Sequence, residues 1–184
     1  MGFLSRIFGK KKAASTSTSK VIKKYIRADD IENSVRKIFQ TNTFNNLHKL
    51  NADSDYWVAV IKAVCYAESS FDTLSRYVET GLGKDVVTKK QNTSEGLMQL
   101  SYQDAKYHGC PFNWDEDKNK SDYDETKTIF DISNNIYCGL LILDKLVGKK
   151  GHYIFNDGNY WAVLKPNNKR HKVFLEKFRE FYKG

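Results

Sequence analysis

The stretch from Trp57 to Glu68 constrains the fold more than any other part of the chain. Its sequence, WVAVIKAVCYAE, is mostly apolar. Trp57, Ile61 and Val64 recur at helical spacing, and Glu68 continues the same face. A carboxylic acid at the end of an apolar face is costly to ionise, so we expect burial to raise the pKa of Glu68. A raised pKa suits a general acid that works near neutral pH.

Three short motifs surround this helix in the sequence. They are Glu68-Ser69-Ser70-Phe71, then Ser94-x-Gly96-Leu97-Met98-Gln99, then Asn135-Ile136-x-x-Gly139. In this order and spacing they resemble the soluble lytic transglycosylase domain, which is related to goose-type lysozyme. The resemblance extends over residues 50–165, which is most of the chain. Without these motifs, a glutamate at a helix end that simply faces solvent would be the better interpretation of Glu68.

The resemblance implies a fold and an activity. The fold is mainly α, a single lysozyme-like domain of the α+β lysozyme superfamily with a cleft between helical lobes. The activity is cleavage of the β-1,4 bond between N-acetylmuramic acid and N-acetylglucosamine in peptidoglycan. In this family one glutamate, here Glu68, acts first as acid and then as base, and the product carries a 1,6-anhydromuramoyl end. Neither a metal nor a cofactor is implied.

The resemblance also assigns substrate contacts to five further residues. Ser94 and Gln99 are expected to hydrogen-bond the glycan, Met98 to line the cleft, and Asn135 to match the asparagine of the family's Asn-Ile helix. Tyr160 corresponds to a tyrosine that closes the site near the acid. The family often continues this motif as Tyr-Asn-Ala-Gly, whereas this chain has Tyr-Trp-Ala-Val. The tryptophan of this motif either stacks on a sugar or belongs to the core.

The number of carboxylates separates two reactions. A hydrolase of the usual kind needs a second carboxylate. The candidates near Glu68 in sequence do not lie on a comparable apolar face: Asp72, Glu79, Glu95 and Asp104. The sequence therefore favours a lytic transglycosylase over a goose-type lysozyme, which uses water. A non-catalytic peptidoglycan-binding module is a further alternative, and the presence of Glu68 with Ser94 and Gln99 favours the enzyme.

The N-terminal part differs in character from the rest of the chain. Residues 1–20 form a basic amphipathic segment and a Ser/Thr-rich linker, and residues 21–184 form the predicted domain. Residues 1–12 lack the long apolar region and cleavage site of an ordinary secretory signal. An anchor on an anionic membrane and a frayed basic terminus are equal alternatives for them. The chain contains no apolar run long enough to cross a membrane.

The formal charge of +8 suits a polyanionic partner. Peptidoglycan and anionic lipid fit this charge, and no recognised nucleic-acid motif accompanies it. A purely charge-driven binder of lipid or nucleic acid is the weakest alternative. We expect a monomer that acts at the bacterial cell wall or periplasm. In the absence of a standard signal, a phage endolysin, a virion protein or an effector exported by a dedicated machine would fit.

Several local predictions complete the sequence-based description. Helices are expected around residues 31–39, 57–68, 94–109, 129–147, 160–164 and 174–181, with a loop or short hairpin within 72–93. The three cysteines lack paired metal-ligand spacing. Cys65 and Cys138 lie in apolar helical patterns and are predicted to be buried free thiols. The acidic run 115–120 lacks EF-hand spacing and is predicted to be a solvated loop rather than a calcium site.

Deletion of residues 1–20 tests the anchor hypothesis. We expect the truncated protein to cleave cell wall as well as the full chain does, because the predicted site lies in 21–184. Binding to anionic vesicles in a sedimentation assay should weaken, because the basic residues of this segment are lost. Unchanged vesicle binding would contradict the anchor.

Overall fold

The computed structural model describes residues 24–50, 52–149 and 154–182. Within these ranges the chain is mainly helical with a small two-stranded antiparallel sheet, which confirms the expected fold class at this level. The elements are α1 (Ala28–Thr41), α2 (Asn45–His48), α3 (Ser54–Ser69), β1 (Arg76–Val78), β2 (Thr93–Glu95), α4 (Gln103–His108), α5 (Trp114–Asp117), α6 (Ile132–Lys149) and α7 (His171–Phe181), with a short 3-10 helix at Ala162–Leu164.

The basic N-terminal segment and its linker lie outside the described residues. None of the helices that the structure describes is both long and apolar enough to cross a membrane.

Helix α3 is the centre of the domain. The side chain of Asp53 caps its start by accepting a hydrogen bond from the backbone N–H of Tyr56 at 2.6 Å. Residues 57–65 are all buried, between α1 on one side and α7 on the other. Each large aliphatic side chain buried in this way stabilises the fold by roughly 1.5–3 kcal/mol. Lys62, the one charged residue in the run, pairs with Glu32 of α1 at 3.2 Å.

Helix α7 covers the other side of α3 with aromatic side chains. Phe174 is fully buried and its ring stacks on Phe178 at a centroid distance of 5.9 Å. Phe178 in turn meets Tyr56 of α3 edge-on at 5.5 Å. Phe178 and Phe181 are partly buried against the core that contains Phe174. This packing also brings the beginning of α7 beside the end of α3.

The prediction of a helix over residues 94–109 is wrong for the first half of this range. Thr93–Glu95 is a strand, and Tyr77 of β1 lies opposite Ser94 of β2. The chain then turns back through left-handed backbone conformations at Gly96 (φ 77°) and Gln99 (φ 50°). The turn closes by two hydrogen bonds between residues 95 and 100, at 2.7 and 3.0 Å. Leu97 and Leu100 are buried by this turn, so their spacing imitates a helix that begins only at Gln103.

The acidic run 115–120 is partly helical rather than a solvated loop. Trp114–Asp117 forms α5, and the side chain of Asp117 is fully buried. Its carboxylate accepts hydrogen bonds from the Tyr102 hydroxyl at 3.0 Å and from the Thr128 backbone N–H at 2.8 Å. Among the described residues, no group of three or more histidine, cysteine, aspartate or glutamate side chains is arranged to hold a metal ion.

The prediction of a free thiol at Cys138 is wrong, because Cys138 of α6 forms a disulfide with Cys110. The Cα atoms of the pair lie 4.8 Å apart, within the usual range for a disulfide. The apolar pattern of α6 predicts burial of Cys138, but it does not show that the segment after α4 returns to the same helix. Cys65 is buried and free, as predicted.

Removal of this disulfide is expected to destabilise the domain. The bridge closes a loop with a sequence separation of 28 residues, so replacing both cysteines with serine should lower the free energy of unfolding by roughly 3–4 kcal/mol. Urea denaturation under non-reducing conditions measures the difference. Cys65→Ala, which keeps the bridge, is the control. Dithiothreitol should destabilise the Cys65→Ala control and leave the stability of the double variant unchanged. Equal stability of the double variant and the wild type would contradict the prediction.

Candidate active site

Glu68 lies in the last turn of α3, and its side chain is only 8% exposed. Burial raises the pKa of its carboxyl above the usual range, as predicted from its position in the sequence. The Arg170 guanidinium, with Nη2 at 3.1 Å from Oε2, opposes this rise, and the negative charge of Glu79 adds to it. A carboxyl group in this environment is suited to hold a proton and to release it.

The backbone after Glu68 is bent sharply. Ser70 (φ 54°) and Phe71 (φ 65°) are consecutive non-glycine residues in the left-handed region, which is costly for a bulky side chain. The ring of Phe71 packs against Tyr66 and Phe181 at centroid distances of 5.5 and 6.2 Å, and this packing supports the conformation. The bend ends α3 at once after the acid and sends the chain towards β1.

A cleft with a volume of about 720 Å³ opens at the end of α3. The β-hairpin, the turn after β2, residues 160–162 and the residue before α7 contribute its other walls. Four of the six residues predicted from the sequence line this cleft: Glu68, Ser94, Gln99 and Tyr160. The structure therefore brings together residues that are separated by up to 92 positions in the chain.

Ser94 and Gln99 present polar groups to the cleft. The Ser94 hydroxyl donates a hydrogen bond to Oε1 of Glu79 at 2.6 Å. The side-chain amide of Gln99 donates to the carbonyl oxygens of Gly96 at 2.9 Å and Ser75 at 3.3 Å. These bonds fix the two side chains on the wall formed by the hairpin and the following turn.

Met98 and Asn135 lie beneath the cleft and do not line it, which corrects two assignments. Asn135 is fully buried, and all its polar atoms serve the backbone. Its Oδ1 accepts from the Met98 N–H at 2.8 Å, and its Nδ2 donates to the carbonyl oxygens of Ile129 at 2.9 Å and Glu95 at 3.3 Å. The Met98 side chain is buried against Gly139, where a Cβ would come within 2.2 Å of its sulfur. Both residues support the floor of the cleft.

Tyr160 lies in the cleft wall and is held from below. Its hydroxyl donates a hydrogen bond to the buried carboxylate of Asp104 at 2.9 Å. The same carboxylate accepts a second hydrogen bond from the Ser101 N–H at 2.8 Å. The neighbouring Trp161 is only 2% exposed, and its indole N–H donates to the Met98 carbonyl oxygen at 2.7 Å. Trp161 is thus a core residue rather than a platform for a sugar.

Of the four further acids considered in the sequence, Glu79 is the one that lines the cleft. The other three are engaged in the fold: Asp72 accepts from the Leu74 N–H at 3.1 Å, Glu95 pairs with Arg76 at 3.2 Å, and Asp104 supports Tyr160. Glu79 follows β1 directly, and no periodic pattern marks such a position. A prediction of the hairpin register would have been needed to place it in the cleft with Glu68.

The comparisons with known proteins show a likeness of fold. No protein-family model and no curated protein sequence matches the chain. Among solved structures, a glutamate-to-glutamine mutant of DslA (Bd0314) superposes with a TM-score of 0.62 at 23% identity, covering 83% of this chain and 90% of DslA. Wild-type DslA and a second glutamate-to-glutamine mutant each superpose with a TM-score of 0.57 at 23% identity. Each of these two matches covers 84% of this chain and 88% of the DslA chain. The chain shares the DslA fold over most of both lengths.

Asn135→Ala tests the structural role of this residue. The change removes the partners that the side chain gives to the buried Met98 N–H and to the Ile129 carbonyl oxygen, whereas the Glu95 carbonyl oxygen keeps its bond from the Leu100 N–H. Each buried unsatisfied group costs about 1–3 kcal/mol. We expect a loss of at least about 2 kcal/mol in the free energy of unfolding, measured by urea denaturation. Asn134→Ala is the matched control, since this half-buried neighbour makes one side-chain hydrogen bond, at 3.2 Å. Equal losses in the two variants would argue against the role of Asn135.

Proposed function

We propose that this protein is a peptidoglycan glycosidase with a lysozyme-like fold and that Glu68 is its general acid. Its substrate would be the β-1,4 bond between N-acetylmuramic acid and N-acetylglucosamine. The observation that carries the proposal is the largely buried Glu68 carboxyl, with its raised pKa, in the wall of a 720 Å³ cleft.

The chemistry requires a proton donor at the leaving oxygen. Glu68 would transfer its proton to the glycosidic oxygen while the C1–O bond breaks and its electron pair moves to that oxygen. The raised pKa of Glu68 keeps a larger share of the carboxyl protonated near neutral pH than an exposed glutamate would have. The sugar is left with an oxocarbenium-like centre at C1, which a nucleophile then attacks.

The position of Glu79 in the cleft favours water as the nucleophile that attacks C1. The sequence favours a lytic transglycosylase because no second acid is apparent, but Glu79 lines the same cleft as Glu68. A carboxylate there can accept the proton of an attacking water, as the base does in hydrolases with two carboxylates. We therefore favour hydrolysis, as in goose-type lysozymes. Attack by the 6-hydroxyl of the muramic acid, with Glu68 acting alone, is the competing reaction.

The substitutions made in DslA support this pair of acids. In its two mutants the substituted glutamates are 11 residues apart in that chain. Glu68 and Glu79 are separated by the same 11 residues. We infer that the two acids of this chain occupy the positions of the two glutamates that were replaced in DslA.

The walls of the cleft suit a carbohydrate. Tyr77 and Leu82 are 61% and 66% exposed and give the cleft an apolar lip, whereas Gln99 and Gln103 contribute amide groups to its lining. A pyranose ring has an apolar face and a polar edge, so it can use both kinds of surface at once. The net charge of +8 favours an anionic polymer such as the cell wall.

The disulfide supports a site of action outside the cytosol. Disulfides persist in oxidising compartments such as the periplasm and the extracellular space. The Cys110–Cys138 bridge therefore fits a protein that reaches the bacterial cell wall.

Mass spectrometry of digested, purified peptidoglycan tests the proposal. We expect the wild type to release fragments with reducing muramic ends, and Glu68→Gln to lose about 10²–10⁴ of the rate because it lacks the acid. Glu79→Gln should also lose most activity if water is the nucleophile. Glu176→Gln, an exposed acid on α7, is the control and should behave as wild type.

The products decide between the alternatives. Anhydromuramoyl ends, together with full activity of Glu79→Gln, would show a transglycosylase. The absence of any product from the wild type would contradict the enzyme and favour a glycan-binding module.

A further inference from the structure

Arg170 connects the beginning of α7 to the end of α3. Its guanidinium Nη2 lies 3.1 Å from Oε2 of Glu68 and also donates a hydrogen bond to the carbonyl oxygen of Ala67. The backbone N–H of Arg170 donates to the side chain of Asn168 at 2.9 Å, which fixes the turn from which the arginine extends. Two contacts therefore hold the guanidinium beside the acid, and a third holds the backbone from which it extends.

These contacts distinguish the two oxygens of the Glu68 carboxyl. Oε2 is in ion-pair contact with the guanidinium, which has hydrogen-bond donors only. A proton on Oε2 would compete with that contact. The ion pair joins the guanidinium to Oε2. The proton of the neutral carboxyl is therefore favoured on Oε1.

We propose that Arg170 is a positioning residue for Glu68, which selects Oε1 as the oxygen that carries the proton and stabilises the carboxylate that remains after the proton has left. This inference rests on the proposed function. In the step, the O–H bond at Oε1 breaks and a new O–H bond forms on the glycosidic oxygen. That oxygen receives the electron pair of the C1–O bond. The negative charge left on Glu68 then lies beside the guanidinium.

The balance of charges around Glu68 explains why such a residue is useful. Burial favours the protonated form, and so does the carboxylate of Glu79 from the hairpin. Within α3, Cys65 is fully buried, and burial raises the pKa of its thiol, so it stays neutral. Arg170, the residue directly before α7, is the group that favours the ionised form. Its side chain is 43% exposed, so solvent weakens the pair and full ionisation is not enforced.

The sign of the pH effect follows from these roles. A general acid must be protonated, so activity falls as the pH rises through the pKa of Glu68. Arg170→Gln removes the cation that lowers this pKa, so the fall should move to higher pH. The rate on the low-pH plateau should drop about tenfold or more, because the product carboxylate loses a charge-assisted hydrogen bond. Arg170→Lys keeps the charge and should restore most of the wild-type profile.

Two measurements on the full-length protein test the proposal. The first is an NMR titration of the ¹³C-labelled Glu68 carboxyl, assigned with Glu68→Gln, in wild type, Arg170→Gln and Arg170→Lys. The second is the pH dependence of kcat/KM on purified peptidoglycan for the same proteins. Arg179→Gln is the matched control, an exposed arginine on the same helix. Thermal unfolding monitored by circular dichroism checks that each variant is folded.

In Arg170→Gln, and in none of the other variants, we expect the midpoint of the Glu68 NMR titration to move to higher pH. The pH at which activity falls should move upward with it. An unchanged midpoint would overturn the proposal, whether or not the protein cleaves glycan. A raised midpoint with an unchanged activity profile would overturn its catalytic part. If the wild type cleaves nothing, the proposed function fails together with this catalytic part, and the NMR midpoint still decides whether Arg170 controls the carboxyl.

Discussion

The buried amide of Asn135 is the interaction on which the candidate site depends. It joins the end of β2, the turn that follows and the segment before α6 through three hydrogen bonds. In the same turn, the Met98 carbonyl oxygen accepts a hydrogen bond from the indole N–H of Trp161. This bond positions the segment that contains Tyr160. A Cβ at Gly96 would come within 2.4 Å of the Asn135 amide, so the turn requires glycine at this position. One buried polar side chain thus holds the turn to which the segment with Tyr160 is attached.

Burial and the charge of Arg170 shift the pKa of Glu68 in opposite directions. The apolar face of α3 brings Glu68 into an environment that disfavours its ionised form, and α7 brings a guanidinium that favours it. Both effects come from the same helix contact, because the aromatic packing that buries α3 also positions Arg170. The electrostatics of the acid are therefore a consequence of how two helices pack, rather than of one local motif.

The sequence is informative where a residue's role follows from its own helix. The periodicity of α3 and α6 predicts their burial, and the position of Glu68 on an apolar face predicts the direction of its pKa shift. The sequence fails where a role depends on a long-range contact. The Cys110–Cys138 bridge, the position of Glu79 in the cleft and the burial of Asn135 all depend on segments that meet only in the folded chain. Residues 94–100 mislead because a tight turn buries leucines at the spacing of a helix.

The disulfide also sets where the molecule can move. Cys138 is adjacent to Gly139, and Asn135 lies one helical turn earlier on α6, so the covalent link holds the helical turn that carries the cleft floor. Local opening of the floor would have to disturb this cross-linked region, and such openings are rare compared with those of exposed segments. The lip formed by Tyr77 and Leu82 belongs to a hairpin of three-residue strands, and both of these side chains are exposed. We therefore expect adaptation to ligands of different shape to take place at the lip, while the floor keeps its geometry.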